Sequence, residues 1–196
     1  MPLLSRSERQ ASILRGASRA FARTGFAGTS MDDVAAECGV TKLILYRHFD
    51  TKEDLYRAVL QRVFERHGEE LAARMEGGGG RGLGMRTLLT VAREDEAGFT
   101  LLWRHASREP QFADYAHELR DAAANATAQL MRLSMGDPAL DRWAAQSVIG
   151  WLVDAVLVWL EVGDPARDDE VVERATAGLA ALRQAWMLAP AGRLPG

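Results

Sequence analysis

Apolar residues recur every three or four positions along most of the chain, and no stretch alternates apolar and polar residues as a β-strand does. In the first segment Ile13, Ala17 and Phe21 lie four residues apart, which predicts a helix from Ser7 to Thr24 that Gly25 ends. The same periodicity continues to residue 187. We therefore predict an all-α fold of roughly nine helices.

Residues 30–49 predict two short helices joined by a tight turn. Ser30 precedes Asp33 by three residues, the spacing of a capping box, so the first helix should begin near Met31. Gly39 should end that helix, because glycine adopts the positive φ of a helix C-terminus at little cost. Thr41 can cap a second helix. The segment therefore predicts a helix-turn-helix.

The second short helix would turn Leu45 and Phe49 inwards and leave cationic and polar side chains outside. Phosphate oxygens bind such donors, and a helix that carries them suits a major groove. For any one of these residues alone, a solvated face is the alternative. As a group they predict DNA-binding contacts at Ser30, Thr41, Lys42, Leu43, Ile44, Tyr46, Arg47, His48 and Lys52. The expected phosphate contacts are Tyr46, Arg47 and Lys52, and the expected base contacts are Lys42, Leu43 and Ile44.

A further set of positions extends this pattern over the first 60 residues: Phe21, Gly25, Ser30, Val34, Ala35, Gly39, Val40, Thr41, Leu45, Tyr46, His48, Phe49, Lys52, Glu53, Asp54 and Leu55. In order and spacing they resemble the DNA-binding domain of the TetR (tetracycline-repressor-like) family of transcriptional regulators. Leu43 and Ile44 depart from the small or polar residues often found there. They can contact a thymine methyl but cannot hydrogen-bond a base edge.

The resemblance implies a three-helix DNA-binding head at residues 1–54, a helical body for effector binding and dimerisation at 55–190, and a tail at 191–196. A capping box at Thr51 starts a long helix that should reach Met75 and link the head to the body. The glycine-rich segment Gly77–Gly84 contains a G-x-G-x-x-G pattern. No strand precedes it, so we interpret the segment as a hinge and not as a nucleotide-binding turn.

Five further helices are predicted beyond the hinge, at Met85–Arg93, Glu96–Ser107, Pro110–Leu133, Pro138–Val162 and Asp168–Met187. The last one carries apolar residues at 3-4-3-4 spacing, beside a stripe of small residues that would let a neighbouring helix approach. The helix before it is apolar over more of its circumference than one body can cover. Both features, and the family resemblance, predict a homodimer through a four-helix bundle. A buried hairpin in a monomer is the alternative. The predicted interface consists of Trp159, Val172, Ala175, Leu179, Leu182 and Trp186.

Aromatic and apolar side chains of the body predict a pocket for a small, largely apolar or aromatic effector. Its candidate walls are Phe99, Trp103, Phe112, Tyr115, Trp143, Ser147 and Trp151. For each residue alone, a place in the ordinary core is the alternative.

Composition and charge restrict the function. The net charge is −3, yet the first fifty residues carry seven Lys and Arg against five Asp and Glu, so the acidity lies in the body. The four histidines lack metal-ligand spacing and no nucleophile motif occurs, so we expect no catalytic site, metal or cofactor. Cys38 is the single cysteine, and the N-terminus lacks the apolar run of a secretory signal, so we expect a cytoplasmic protein. The most apolar stretch, Trp143 to Leu160, contains Gln146, Ser147 and Asp154, so we expect no membrane span.

The sequence therefore predicts a dimeric transcriptional regulator, a repressor, that a small effector releases from a palindromic double-stranded DNA operator. The alternative is a helical small-molecule-binding protein or enzyme in which the helix-turn-helix is incidental. That alternative requires a catalytic or metal constellation, and the sequence contains none that we recognise.

Overall fold

The computed structural model describes residues 6–188, and within that range the chain forms helices and no strand. The α-helices are α1 Arg6–Gly28, α2 Met31–Cys38, α3 Lys42–Tyr46, α4 Lys52–Glu76, α5 Leu83–Glu94, α6 Glu96–Thr100, α7 Ala113–Met131, α8 Pro138–Val162 and α9 Asp168–Leu188. The predicted all-α fold is confirmed. The predicted tail at 191–196 lies outside the described residues.

Local side-chain chemistry begins the helices where the sequence predicts. Ser30 and Asp33 form the complete capping box of α2, and Gly39 ends that helix at φ 63°. The Thr51 hydroxyl accepts from the amide of Asp54 at 3.0 Å at the start of α4. Thr41 stands at the N-cap of α3, but its side chain makes no capping bond.

The region after α6 differs from the single helix predicted at Glu96–Ser107. There α6 gives way to a π-helix at Leu101–His105 and a 3₁₀ turn at Ala106–Arg108. A turn in which the Phe112 amide donates to the Glu109 carbonyl at 2.9 Å then precedes α7, which starts at Ala113 and not at Pro110. This turn directs the Phe112 ring, which is fully buried, into the core.

Four aromatic rings join the head to the body. Gly25 kinks α1 at φ 73°, where the sequence predicts its end, and Phe26 just beyond the kink is buried. The Tyr56 ring of α4 lies 5.0 Å from Phe21 and 4.4 Å from Phe112, and Phe26 lies 4.9 Å from Phe112. We call Phe21, Phe26, Tyr56 and Phe112 the aromatic junction.

A polar contact reinforces this connection. The Ser18 hydroxyl of α1 donates to the Asp95 carboxylate at 2.8 Å, and Asp95 also caps α6 by accepting from the Gly98 amide. Burial raises the pKa of Asp95 above its ordinary value. The predicted domain boundary after residue 54 falls inside α4, whose Tyr56 belongs to the junction.

The body packs α5, α7 and α9 around α8. By length and composition alone α8 could cross a bilayer, with a mean hydropathy of 1.5, a test that core helices of soluble proteins also pass. Its buried face includes Val148, Leu152 and Val156. The opposite face is exposed.

The predicted glycine hinge corresponds to the loop of residues 77–82 between α4 and α5. A Cβ placed on its last residue, Gly82, would lie within 2.9 Å of Val172 and within 2.8 Å of Thr176 in α9. The end of the loop therefore packs directly on α9.

The aromatic junction predicts a stability test. Phe112→Ala should lower the free energy of unfolding by about 3–5 kcal/mol, because it empties a fully buried ring site. Chemical denaturation monitored by circular dichroism measures this change. Leu43→Ala is the control, since Leu43 is 63% exposed and its truncation should cost less than about 0.5 kcal/mol. Equal costs for the two variants would contradict the role of the junction.

Candidate nucleic-acid interface and effector cavity

The helix-turn-helix positions α3 as an exposed ridge. Leu45 and Phe49 are buried, and their packing fixes the inner side of α3. The turn is tight, because the Val40 amide bonds back to the carbonyl of Ala35 at 3.0 Å. α3 can therefore present its outer side as a recognition helix.

Most of the predicted DNA contacts lie on or beside α3 and differ in their exposure, whereas Ser30 caps α2 and Lys52 begins α4. Leu43 and Tyr46 are 63% and 46% exposed. Thr41, Lys42 and Arg47 are also exposed, whereas Ile44 and His48 are half-buried. Ile44 packs against the core, so Leu43 has the better access to a thymine methyl.

Several cations and polar groups of the head already have partners. Lys42 Nζ lies 2.8 Å from Asp32, and this bond raises the pKa of Lys42. Ser30 donates to Asp33 at 2.6 Å, which lowers the pKa of that carboxyl. A DNA contact at Lys42 or Ser30 would therefore have to replace a bond within the head. The Arg47 guanidinium has no hydrogen bond or ion pair with another described residue, which leaves it available to a phosphate.

Lys52 differs from the expectation of a free phosphate donor. Its ammonium donates to the carbonyls of Phe26 and Thr29, both at 2.9 Å, and lies 4.2 Å from the centre of the Phe26 ring. These contacts tie the start of α4 to the turn between α1 and α2. Two of the three N–H donors of the Lys52 ammonium are thereby used, so we interpret Lys52 first as a residue that stabilises the head.

The residues predicted for the effector pocket do not surround one cavity. Phe112 belongs to the aromatic junction, and the Tyr115 hydroxyl donates to Gln61 at 2.5 Å. Phe99 and Trp103 are buried with their ring centres 6.2 Å apart. The remaining three lie on α8: Trp143, Ser147 and Trp151.

A different set of residues lines a half-open cavity of about 490 Å³ between the α4–α5 loop, α5, α7, α8 and α9. None of the seven predicted residues lines it. A second hollow of about 570 Å³ is lined by five residues of α8 alone, including Trp143, and is an open depression of the surface. The site between several segments is the better candidate for an effector. The sequence does not reveal it, because its walls come from five separate segments.

Two of the six residues predicted for the dimer interface are buried within their own chain, and for the other four the interface stays a prediction. Val172 and Ala175 are 2% and 7% exposed. Leu179 lines the cavity, and the Trp159 indole donates to Asp168 at 2.6 Å. The two remaining members of the seam, Leu182 and Trp186, are half-buried. A seam with 3-4 spacing suits any neighbouring helix, and here α5 and α8 take that place.

An exposed apolar surface lies on the opposite sides of α8 and α9. Its α8 part comprises Leu140, Trp143, Trp151, Val158 and Val162. Its α9 part is the small-residue stripe Ala177, Gly178, Ala181 and Ala185, which the sequence singles out. A Cβ on Gly178 would lie 3.9 Å from the Trp151 ring, so the two parts are continuous. We call them together the outer α8–α9 face.

Comparison with known proteins identifies this architecture. The sequence profile of the bacterial regulatory proteins of the tetR family matches residues 13–59, which span the helix-turn-helix. The transcriptional activator FasR of Mycolicibacterium smegmatis is 30% identical over 176 residues, which cover 87% of this chain and 80% of FasR. The chain belongs to the TetR family. Its members are DNA-binding transcriptional regulators and not enzymes, so the alternative of an enzyme is excluded.

Other known proteins resemble the head or the whole fold. The regulator TtgR of Pseudomonas putida is 40% identical over 60 residues, 31% of this chain and 29% of TtgR. A TetR-like regulator from Rhodococcus sp. RHA1 superposes with a TM-score of 0.67 at 26% identity, over 91% of this chain and 99% of that one. AibR, solved with isovaleryl coenzyme A and operator DNA, has a TM-score of 0.61 at 22% identity, over 88% of this chain and 98% of AibR.

Alanine substitutions should distinguish the role of Lys52 from that of Arg47. Arg47→Ala should leave stability unchanged and flatten the dependence of log K on log salt by about one unit, since one phosphate contact is lost. Lys52→Ala should lower the free energy of unfolding by about 1 kcal/mol, because two carbonyls lose a charged donor. Thermal denaturation and salt-dependent anisotropy measure the two effects. Identical behaviour of the variants would contradict this division.

Leu43 should set a base preference. Leu43→Ala should relax selection at one thymine-bearing position by about 1 kcal/mol, because an exposed apolar contact to the methyl disappears. Ile44→Ala, at the half-buried neighbour, is the matched comparison and should mainly reduce stability. Selection of binding sites from random duplexes gives the preference of each variant. An unaltered profile for Leu43→Ala would remove this residue from the base contacts.

Proposed function

We propose that the protein is a homodimeric regulator that binds a palindromic operator with two recognition helices and leaves it when an effector fills the body. The observation that carries the proposal is the exposed outer side of α3. There Leu43 and Tyr46 are exposed beside Arg47, whose guanidinium has no hydrogen bond or ion pair with another described residue. An apolar residue between polar ones suits a base edge flanked by phosphates. Such a regulator acts on chromosomal DNA, so we place it in the cytoplasm.

The outer α8–α9 face supports the homodimer. Trp143, Trp151 and Val158 are 50%, 40% and 52% exposed on one side of α8. Exposed apolar side chains grouped in this way, here with the exposed Asp154 among them, mark an interaction site, and the small residues of α9 allow two helix pairs to approach closely. The face of one protomer against the same face of another would form a four-helix bundle with two-fold symmetry. Two heads one DNA turn apart, about 34 Å, then match two half-sites.

The effector would act through helices that contact α4. α5 lines the cavity and packs along α4, and Arg93 of α5 holds Asp168 of α9 at 2.8 Å. A guest that displaces α5 would therefore move α4 and change the separation of the heads. The complex of AibR with isovaleryl coenzyme A and operator DNA shows that a protein of this fold binds both a small molecule and an operator.

We propose that the protein represses transcription. An operator that overlaps a promoter blocks transcription by occupancy alone, whereas activation needs a further contact with polymerase. FasR is named an activator, so a reporter assay has a clear contrary outcome. Deletion of the gene should raise expression from the operator-bearing promoter. A fall in expression would identify an activator and would not contradict DNA binding.

Direct binding tests the central claim. The purified protein should select a palindromic duplex from random sequences, and fluorescence anisotropy should give tighter binding to that duplex than to a half-site. Selection of no sequence over the random pool would overturn the proposal.

A charge on the outer α8–α9 face should separate the protomers. Val158→Glu places an exposed carboxylate on a single chain, so folding should be kept, but burial between two chains would cost several kcal/mol. Sedimentation velocity should therefore show a monomer that has lost affinity for the palindrome. Met75→Glu, at a residue 50% exposed near the end of α4, is the matched control and should stay dimeric. A dimeric Val158→Glu protein would move the interface elsewhere.

A further inference from the structure

The cavity of about 490 Å³ has a chemistry that the exposed aromatic residues do not share. Its walls are aliphatic and sulfur-containing: Met85 of α5, Leu130 and Met131 of α7, Leu152 of α8 and Leu179 of α9. No aromatic ring contributes to this lining among the described residues. Flexible aliphatic and thioether side chains suit a flexible aliphatic guest better than a flat ring.

The hydroxyl groups in the wall are already satisfied. Thr127 donates to the carbonyl of Ala123 at 2.8 Å, and Thr176 donates to that of Val172 at 2.6 Å. Each hydroxyl proton is therefore used within its own helix. Toward a guest these groups offer only acceptor lone pairs, so they give an anion no stabilisation.

Two arginines supply the charge of the site. Arg132, just after α7, and Arg183 on α9 both line the cavity and are exposed. Neither guanidinium has a hydrogen bond or ion pair with another described residue, and the described lining contains no Asp or Glu. The nearby arginines of α5 differ, since Arg86 and Arg93 each bind an Asp of α9. Two unpaired cations beside an apolar chamber create a site for a negative head group.

The backbone at Arg132 supports this interpretation. Arg132 has φ 50°, and it is the one non-glycine residue with positive φ in the described part of the chain. Glycine is the usual residue at such a helix end, and a side chain there is strained. Arginine at this position therefore sacrifices some stability while it brings a guanidinium to the cavity.

We propose that the cavity binds a linear aliphatic chain with a terminal anion, held by Arg132 and Arg183 while the chain lies against the apolar wall. A saturated carboxylate of about twelve carbons is of a size that a cavity of about 490 Å³ accommodates. The head group is either a free carboxylate or the phosphorylated carrier of an acyl thioester, because both present the same chemistry.

Calorimetry with two ligands of one chain length tests the site. Dodecanoate should bind the full-length protein at least about tenfold more tightly than dodecanol, because only the carboxylate engages the guanidiniums. Dodecanoyl coenzyme A distinguishes the sources: tighter binding than dodecanoate indicates the thioester, and weaker binding indicates the free acid. Equal affinity for dodecanoate and dodecanol, or no binding of any of the three, would overturn the proposal.

Arginine variants identify the anion contacts. Arg132→Gly should not lower stability, because it places glycine at a positive φ, and Arg183→Met keeps an apolar stem of similar length. The double variant should bind dodecanoate about 100-fold more weakly and dodecanol within about threefold of the unchanged protein. Equal losses for the two ligands would indicate damage to the cavity wall and refute the role of charge.

Arg108→Ala is the matched control for the loss of one cation. Arg108 is exposed and precedes α7, whereas Arg132 follows it. The 19 residues of α7 separate its ends by roughly 28 Å. Dodecanoate should bind this variant as it binds the unchanged protein. A loss equal to that of Arg132→Gly would show that general charge, and not the cavity, attracts the anion.

The effect of the ligand on operator binding rests on the proposed function, whereas binding of the ligand to the cavity does not. Dodecanoate or its thioester should weaken operator binding, and the operator should weaken the ligand by the same factor. If the ligand binds without this coupling, the site stands and effector release is refuted. If the protein selects an operator but binds none of the chains, the site is refuted and the DNA-binding function stands.

Discussion

The position of the DNA-binding head depends on one packed interaction, the contact of the Phe112 ring with Tyr56 and Phe26. α2 and α3 have eight and five residues, and helices of that length are not stable alone. They are held by α1 and α4, whose rings meet Phe112 at the base of the body. Since net stabilities of domains are about 5–15 kcal/mol, a few kcal/mol at this junction is a large share. Head and body therefore share one core.

Local chemistry explains what the sequence could predict. Ser30, Gly39 and Asp137 act within three residues of their own position, so their effect on helix ends is readable without the fold. The helix-turn-helix is a series of such local signals at fixed spacing, and it could be recognised for that reason. The turn at Glu109, before α7, could not be predicted from the sequence. Phe112 enters the core only after this turn, which Pro110 permits but does not dictate.

Contacts between segments far apart in the sequence explain what the sequence could not predict. α9 has an aliphatic seam through Val172 and a small-residue stripe through Gly178, and either could face a partner. The seam is taken by α5 and α8 of the same chain. Lys52 likewise looks free in the sequence, yet two carbonyls that face it across the α1–α2 turn occupy its ammonium. The cavity depends on residues that approach one another only when five segments meet.

These features together make α7 a mechanical connection. At its start Phe112 is held between Phe26 and Tyr56, and beyond its end Arg132 stands at the cavity. If the proposed ligand draws the Arg132 backbone toward the cavity, α7 would carry that movement to Phe112 and the aromatic junction. The two routes reach α4 at different points: α5 contacts it at Arg66 and Arg74, and Phe112 before α7 contacts it at Tyr56. A ligand can shift the head only by its preference for one arrangement, and a 100-fold change in DNA affinity requires about 2.7 kcal/mol of such preference. Two charge-assisted contacts, made in one arrangement and broken in the other, are of the size required.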